Sequence, residues 1–422
     1  MGGISSGDVR LHALALLLLA VGWAGAVSHC PALYLRYSNR HTFCQSKNDK
    51  CQIKRSGVTL DERDTILELH NSIRNEIALG KDASGKRLPH AGNMLEMEWD
   101  EELAQVAQKL ADRCIFNHDC DECRKVENFD VGQNLYTATV TATKPPHPSW
   151  KDAIQAWYSE VHRFSNDLIN PFTSDDATGH FTQMVWSNTW KIGCGFVSYE
   201  KRKDSWTQLY VCNYGPGGNV DDDEMYMIAQ ACSKCPGNTC CGMHCKKRKS
   251  PSYVGLCKVL NEKGPDYDEG DFSHFVFNCD FKTESTSDCQ IHVDGTNKWQ
   301  TRQVVSGVYK TVVLNGGEST TLKFTSHIQS KDGFCLTIAF RKGPNVAGAK
   351  NANEFSVQLE RKGATKPLNF QLDSEGSDWL PYSIGIPMKQ PMQISLKFGV
   401  PKGAPTQYLD VKYVRARPGL CS

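Results

Sequence analysis

Hydrophobic positions recur with a helical period in three segments of the first half of the chain. Thr59-Leu60-Asp61-Glu62 is a capping box, in which the Thr and Glu side chains satisfy each other's backbone amides, and Ile66, Leu69, Ile73 and Ile77 then share one face until Gly80. Leu103, Val106, Ala107, Leu110 and Ala111 form the stripe of a second predicted helix, from about Asp100 to Cys114, and Ser149 opens a third whose inward face carries Ile154, Trp157 and Val161. Strands come next. Cys194 in IGCGFVSYE and Cys212 in WTQLYVCNYG are equidistant from Lys203, so a hairpin turning at Lys201 to Ser205 sets them opposite each other within disulfide reach. Helices on both sides of a small antiparallel sheet predict an α/β/α sandwich of the α+β class. Toward the C-terminus the pattern changes to short β-rich runs, TVVLN, TLKFTS, CLTIAF, FSVQLE and QISLKF, separated by Gly, Pro, Asn and Asp turns, which predict an all-β sandwich.

A chain of 422 residues fits two such domains of roughly 150 to 200 residues plus connectors. Residues 1–26 read as a secretory signal peptide, because Arg10 precedes the apolar run Leu11 to Val21 and Ala24-Gly25-Ala26 is a small-residue cleavage pattern. The mature chain is expected to begin near Val27 and to be secreted and extracellular. That run is short for a bilayer and no later stretch approaches the roughly 20 apolar residues a membrane helix needs, so no transmembrane segment is expected.

Residues 27–58 have little periodicity and read as an N-terminal arm anchored by Cys30, Cys44 and Cys51, with the first domain at 59–231. Residues 232–257 carry Cys232, Cys235, Cys240, Cys241, Cys245 and Cys257 with few large apolar residues, so this hinge must be stapled rather than packed. An acidic linker, 258–271, leads to the second domain, 272–422. All 18 cysteines follow the signal, an even number that reads as disulfides in an oxidising compartment. The 48 basic and 47 acidic side chains leave a net charge of +1, too little to draw in nucleic acid. Neither an Asn-x-Ser/Thr sequon nor an Arg-Gly-Asp tripeptide occurs, and the oligomeric state leaves no mark in the sequence.

Two segments carry a family resemblance. Gly179-His180-Phe181-Thr182-Gln183-Met184-Val185-Trp186 and Leu209-Tyr210-Val211-Cys212-Asn213-Tyr214-Gly215-Pro216-Gly217-Gly218-Asn219-Val220 resemble the two signatures of the CAP superfamily, the SCP/TAPS domain. His70-Asn71-Ser72-Ile73-Arg74 and Gly132-Gln133-Asn134-Leu135 resemble its two shorter motifs. The arm and the Gly-Gln-Asn form are most similar to the venom antigen 5 group, and the hinge is similar to that of cysteine-rich secretory proteins. Phe277-Asn278-Cys279-Asp280-Phe281 with Cys289, then Gly333-Phe334-Cys335-Leu336 and Leu409-Asp410-Val411 to Cys421, resemble the MAM domain, a jelly-roll sandwich. The antigen 5 resemblance implies Cys30–Cys44 and Cys51–Cys114, and the MAM resemblance implies Cys279–Cys289 and Cys335–Cys421. Cys120 and Cys123, three apart, remain for one another, and the hinge cysteines are expected to close three bridges among themselves with their connectivity open.

Carried over position by position, the CAP cavity falls on His118, Gln133, Glu160 and His180, which are expected to converge on one solvent-reaching cleft. His118, Glu160 and His180 are zinc-competent in type, so a weak, pH-dependent zinc site is the metal expectation, with no cofactor required. Gln133 departs from the glutamate many CAP domains have; it keeps an oxygen acceptor but cannot act as a base, and restoring Glu there is expected to tighten metal. The only Gly-x-Ser-x-Gly is Gly3 to Gly7 within the signal, no His-Glu-x-x-His occurs, and Ser159 points about 100° from Glu160 around a helix.

The leading expectation is therefore a non-enzymatic binding protein engaging an extracellular protein, lipid or sterol target. The alternatives are a metal-dependent hydrolase using the His/Glu cleft and an adhesion or matrix component led by the MAM-like domain. Four further features have an ordinary reading beside a functional one. The run Lys246 to Lys249 is a solvated face or an anion-docking patch, Cys232-x-x-Cys235 is structural or a redox or zinc motif, Asp266, Asp268 and Asp271 are linker or calcium ligands, and Tyr136 to Trp150 is a plain loop or the mobile wall of a lipid site.

Overall fold

A computed structural model describes residues 30–82, 85, 87–242, 245, 253–267, 274–282, 286–305, 307–361, 364, 366–373 and 375–421. The signal segment with Val27, the run Lys246 to Lys249, Asp268 and Asp271 lie outside the described residues.

The arm folds as a short helix α1 (Ala32–Tyr37) and a strand β1 (Ile53–Ser56). After it come α2 (Leu60–Ala78), β2 (Glu98–Trp99), α3 (Glu101–Ala111), α4 (Asp121–Arg124), β3 (Gly132–Thr141), α5 (Trp150–Tyr158), α6 (Gly179–Met184) and the hairpin β4 (Lys191–Arg202) and β5 (Ser205–Gly215). The capping box forms at Thr59 and Glu62, and Asp100 and Ser149 cap α3 and α5 through their side chains. The sheet runs β1-β4-β5-β3, with β2 parallel to β4, and its alternating residues sort to two faces. Ile192, Cys194, Phe196, Tyr210, Cys212 and Tyr214 face α2, α5 and α6, while Val197, Leu209 and Val211 face α3. Helices on both faces of this sheet give the α/β/α layering. Cys194 stands opposite Cys212 in the ladder and is bonded to it.

The Tyr136 to Trp150 segment is not one loop. Tyr136 to Thr141 continue β3, each residue paired with β5 from Tyr210 to Ser205, because Tyr, Thr and Val suit a pleated ladder; only 142–149 connects onward to α5. The reading of the whole segment as a loop is corrected accordingly.

The hinge is a two-stranded ribbon of β6 (Thr239–Cys241) and β7 (Cys257–Val259), closed by Cys232–Cys241, Cys235–Cys257 and Cys240–Cys245. Cys257 is buried and its N–H donates to the Met94 carbonyl, which sews the ribbon to the first domain. Asp266, at the head of the acidic linker, pairs by backbone with Gly237 of the hinge.

The C-terminal part contains β8 (Phe277–Cys279), β9 (Ile291–Gly295), β10 (Gln300–Val304), β11 (Gly307–Leu314), β12 (Ser319–Ile328), β13 (Phe334–Pro344), β14 (Glu354–Arg361), β15 (Leu368–Gln371), β16 (Gly376–Ile386), β17 (Met392–Gly399) and β18 (Gln407–Pro418). One antiparallel sheet is ordered β10-β11-β18-β13-β16 with β8 on β18, the other β15-β14-β17-β12-β9. Leu336, Ile338 and Phe340 of the first and Phe324, Val357 and Leu396 of the second meet in a single core. Cys279–Cys289 and Cys335–Cys421 staple it, and Cys30–Cys44, Cys51–Cys114 and Cys120–Cys123 complete the disulfides, leaving no free cysteine. No described helix is long and apolar enough to cross a membrane.

The arm lies between the two domains. Tyr34 donates its hydroxyl to Glu102 of α3 (2.6 Å), and the Leu35 carbonyl accepts from Ala347 N–H of the β-domain (2.7 Å). Arg36 reaches Asp410 of β18 at 3.5 Å in a seam where that carboxylate is fully buried. Beside the arm, Tyr309 donates to Glu127 at 2.6 Å.

Candidate functional site

The four short segments that carried the resemblance meet at one place. His70 on α2 is fully buried; its Nδ1–H donates to the Ile66 carbonyl (2.8 Å), so its bare Nε2 accepts from the Tyr214 hydroxyl at 3.0 Å. That hydroxyl oxygen accepts from Asn134 at 3.3 Å, and the same amide donates to the His180 carbonyl at 3.0 Å. Gln183 closes the knot from the other side. Its Oε1 accepts from Gly218 N–H (3.0 Å) and sits where a Cβ on Gly132 would lie only 1.8 Å away, while a Cβ on Gly218 would come within 2.6 Å of Trp186. Both glycines are therefore required by close approach. Thr182 donates to Asn219 Oδ1 (2.7 Å), whose amide donates to the Gly179 carbonyl (2.9 Å).

Arg74, fully buried on α2, organises the segment beyond α6. Its guanidinium donates to five backbone carbonyls, those of Leu95, Met184, Trp186, Ser187 and Thr189, at 2.7–3.1 Å. Burial pulls its pKa down to about 9, which leaves it charged at neutral pH. Helix α6, and with it His180, is thereby pinned at its C-terminal end.

The imidazoles are held in parallel ways. Glu160, in a short 3-10 turn after α5, accepts His180 Nδ1–H on Oε1 (2.8 Å) and the backbone N–H groups of His180 and Phe181 on Oε2 (3.0 and 3.1 Å). Gln133 on β3 accepts His118 Nδ1–H on its Oε1 (2.8 Å), while its amide donates to Asn213 (3.0 Å) and to Asp119 (3.2 Å). Asp119, whose side chain is 2% exposed, is also held by Thr42 and Arg124. With both Nδ1 atoms committed, the Nε2 lone pairs are the ligating atoms left, on an exposed His118 and a His180 whose side chain is 34% exposed.

The ligand atoms of His118, Glu160 and His180 do not gather within 4.8 Å; among the described residues the only His/Cys/Asp/Glu trio that close is Cys232, Cys235 and Cys257, all in disulfides. Glu160 is turned to brace His180 and the start of α6 instead of joining the imidazoles as a ligand. Gln133 is held through its amide, which donates to Asp119 and Asn213, so a glutamate there would give up both donations and face the Asp119 carboxylate. Asp119, Asn134 and Asn213 carry no mark in the sequence that separates them from their neighbours; the signal available is that Asp119 comes directly after His118 and the two asparagines lie inside the matched motifs.

Burial pushes the pKa of His70 down to about 4 from its usual 6.5. A depressed base takes up its proton in the unfolded chain first, so stability contributed by neutral His70 is present above pH 6.5 and is lost as pH falls toward 4. Urea unfolding from pH 7 to 4 should show a loss of about 3 kcal/mol from this group, and His70→Gln should flatten that part of the profile. An unchanged profile would contradict the burial of a neutral imidazole.

An α/β/α domain with two imidazoles braced through Nδ1, sewn to a three-disulfide ribbon, defines a protein of the cysteine-rich secretory class. Residues 67–214 match CAP, the cysteine-rich secretory protein family. Venom allergen 5 of Tityus serrulatus is 70% identical over 98% of this chain and 99% of its own length. CRISP/Allergen/PR-1 of Trittame loki is 39% identical over 97% of this chain and its full length, and a cysteine-rich venom protein of Tityus serrulatus is 36% identical over 93% of this chain and 95% of its own. The chain belongs to the CAP family and is similar to venom allergen 5 along nearly all of its length.

Proposed function

We propose that the chain is a secreted, non-enzymatic effector whose braced cleft and flanking loops bind an extracellular protein, lipid or sterol target. The observation that carries this reading is that Glu160 braces instead of facing a substrate: its Oε1 accepts His180 Nδ1–H and its Oε2 the backbone N–H groups of His180 and Phe181, while Gln133 is neutral. The brace leaves His180 Nε2 as a base, but among the described residues no hydroxyl or thiol is hydrogen-bonded to it as a nucleophile. What remains is a rigid recognition surface with two Nε2 atoms, which suits hydrogen bonding to a target or weak zinc held by His118 and His180 with water completing the shell. Bound zinc would add a Lewis-acid charge at the cleft; the chain's own residues orient the imidazoles and fix their tautomers.

Residues 272–422 act in this reading as a second interaction surface of MAM type, a jelly roll. Support comes from two antiparallel sheets around one core, with Cys335 and Cys421 tying β13 to the chain end. The test against catalysis uses the full chain with added zinc on ester, phospholipid and peptide substrates, comparing it with His180→Ala. No His180-dependent turnover is expected; hydrolysis that disappears in the folded variant would replace binding with catalysis.

A further inference from the structure

One concavity among the described residues lies away from the imidazoles. It is a groove of about 690 Å³ between the tip of the β4–β5 hairpin and the arm, floored by the Cys51–Cys114 disulfide. The arm contributes Asn48, Lys50 and Gln52 to its lining, and the hairpin contributes Lys201, Arg202 and Lys203. All four cations are exposed, and none of them forms an ion pair among the described residues. The acid in the lining, Glu200, uses its Oε1 to accept the Asp204 N–H at 3.1 Å, and Asp49 and Asp204 are the acids next to Lys50 and Lys203 in the chain, outside the lining. The walls are stiff: β1 pairs with β4, β4 with β5, and the disulfide joins the arm to the end of α3.

We propose that this groove binds a linear sulfated polysaccharide. Four exposed cations without ion-pair partners among the described residues, spread along the groove, match several anionic groups in a row better than one small anion, and extracellular chains meet such groups as sulfates on glycans. The molecule's net charge is only +1, so attraction is local to the groove and acts over about 10 Å at 0.1 M salt. An anionic membrane fits less well, because no exposed large apolar side chain lines the groove to serve as an insertion anchor. Ile115 and Phe116, 47% and 57% exposed beside Cys114, are the residues a membrane would use, and they do not line it. The proposal is independent of the cleft reading.

The test is binding of the full chain to immobilised heparin near 0.1 M NaCl. Binding should weaken steeply with salt and fall by at least about tenfold in Lys201→Ala/Arg202→Ala/Lys203→Ala, with a smaller loss for Lys50→Ala on the arm. Circular dichroism checks that the hairpin variant is folded, and Lys50→Ala gives an answer if it is not. Changing Lys246, Lys247, Arg248 and Lys249 to Ala should leave binding within about twofold. The proposal is overturned by absent heparin binding, by binding that the groove variants leave intact, by loss confined to the 246–249 variant, or by equally strong groove-dependent binding to phosphatidylserine vesicles.

Discussion

Arg74→Met is expected to destabilise the protein by about 3 kcal/mol or more, lowering the melting temperature by roughly 6 to 12 °C. The methionine fills the volume but supplies no donor, so the carbonyls of Leu95, Met184 and Thr189 lose a charge-assisted partner inside the core. The Trp186 and Ser187 carbonyls keep backbone donors, from Thr189 and Leu95, which limits the damage. Arg74→Lys should be nearly as harmful, because one ammonium has three donors and cannot reach five carbonyls spread over 95 to 189. Thermal unfolding of the three proteins checks this, and a lysine variant as stable as the parent would show that charge alone, without the forked geometry, holds the segment after α6.

Asp410→Ala should have an effect of similar size by a different route. Asp410 is fully buried on β18, accepting from Arg341 Nε at 2.8 Å and from Thr311, with Arg36 of the arm at 3.5 Å. Removing the carboxylate leaves two guanidinium groups, 4% and 9% exposed, without their counter-charge, a loss of about 3 to 5 kcal/mol for a buried pair. Stacking of Arg36 on Tyr408 (4.4 Å) and of Arg341 on Trp379 (4.5 Å) would then hold charges that nothing neutralises. Since Arg36 sits on α1, the variant should also release the arm, seen as faster limited proteolysis near residues 30–44. A variant with unchanged melting and proteolysis would mean that the arm is held by its backbone and tyrosine contacts alone.

Much of the fold was legible because local rules and global fold agree. The capping box at Thr59, the stripe of α3 and the cysteine spacing about Lys203 each depend on residues near one another, and the structure forms all three. Strand β3 was hidden in the segment after Gly132, whose threonines, alanines and later prolines read as a loop; its partner β5 lies some 70 residues away in the chain, and that pairing leaves no local mark. The buried polar residues were the larger omission. His70 and Arg74 sit on the inward face of α2 among Ile66, Ile73 and Ile77, where periodicity predicts only apolar side chains. Their partners are carbonyls and a tyrosine hydroxyl from distant segments, so the sequence displays the motif but not the knot it ties. The residues that the resemblance matched at 118, 133, 160 and 180 obey the same logic: the direction in which Gln133 and Glu160 face is set by Asp119, Asn213 and the start of α6, which no local pattern singles out.

The binding claim is tested most directly by capture. Full-length chain and a His118→Ala/His180→Ala variant, both checked for native melting, would be incubated in extracellular fluid and repurified, and the retained proteins and extracted lipids identified by mass spectrometry. A target that engages the braced imidazoles should accompany the parent and be reduced at least about tenfold in the variant, the equivalent of about 1.4 kcal/mol of binding energy. An identical set of proteins and lipids on both would contradict the cleft as the recognition surface.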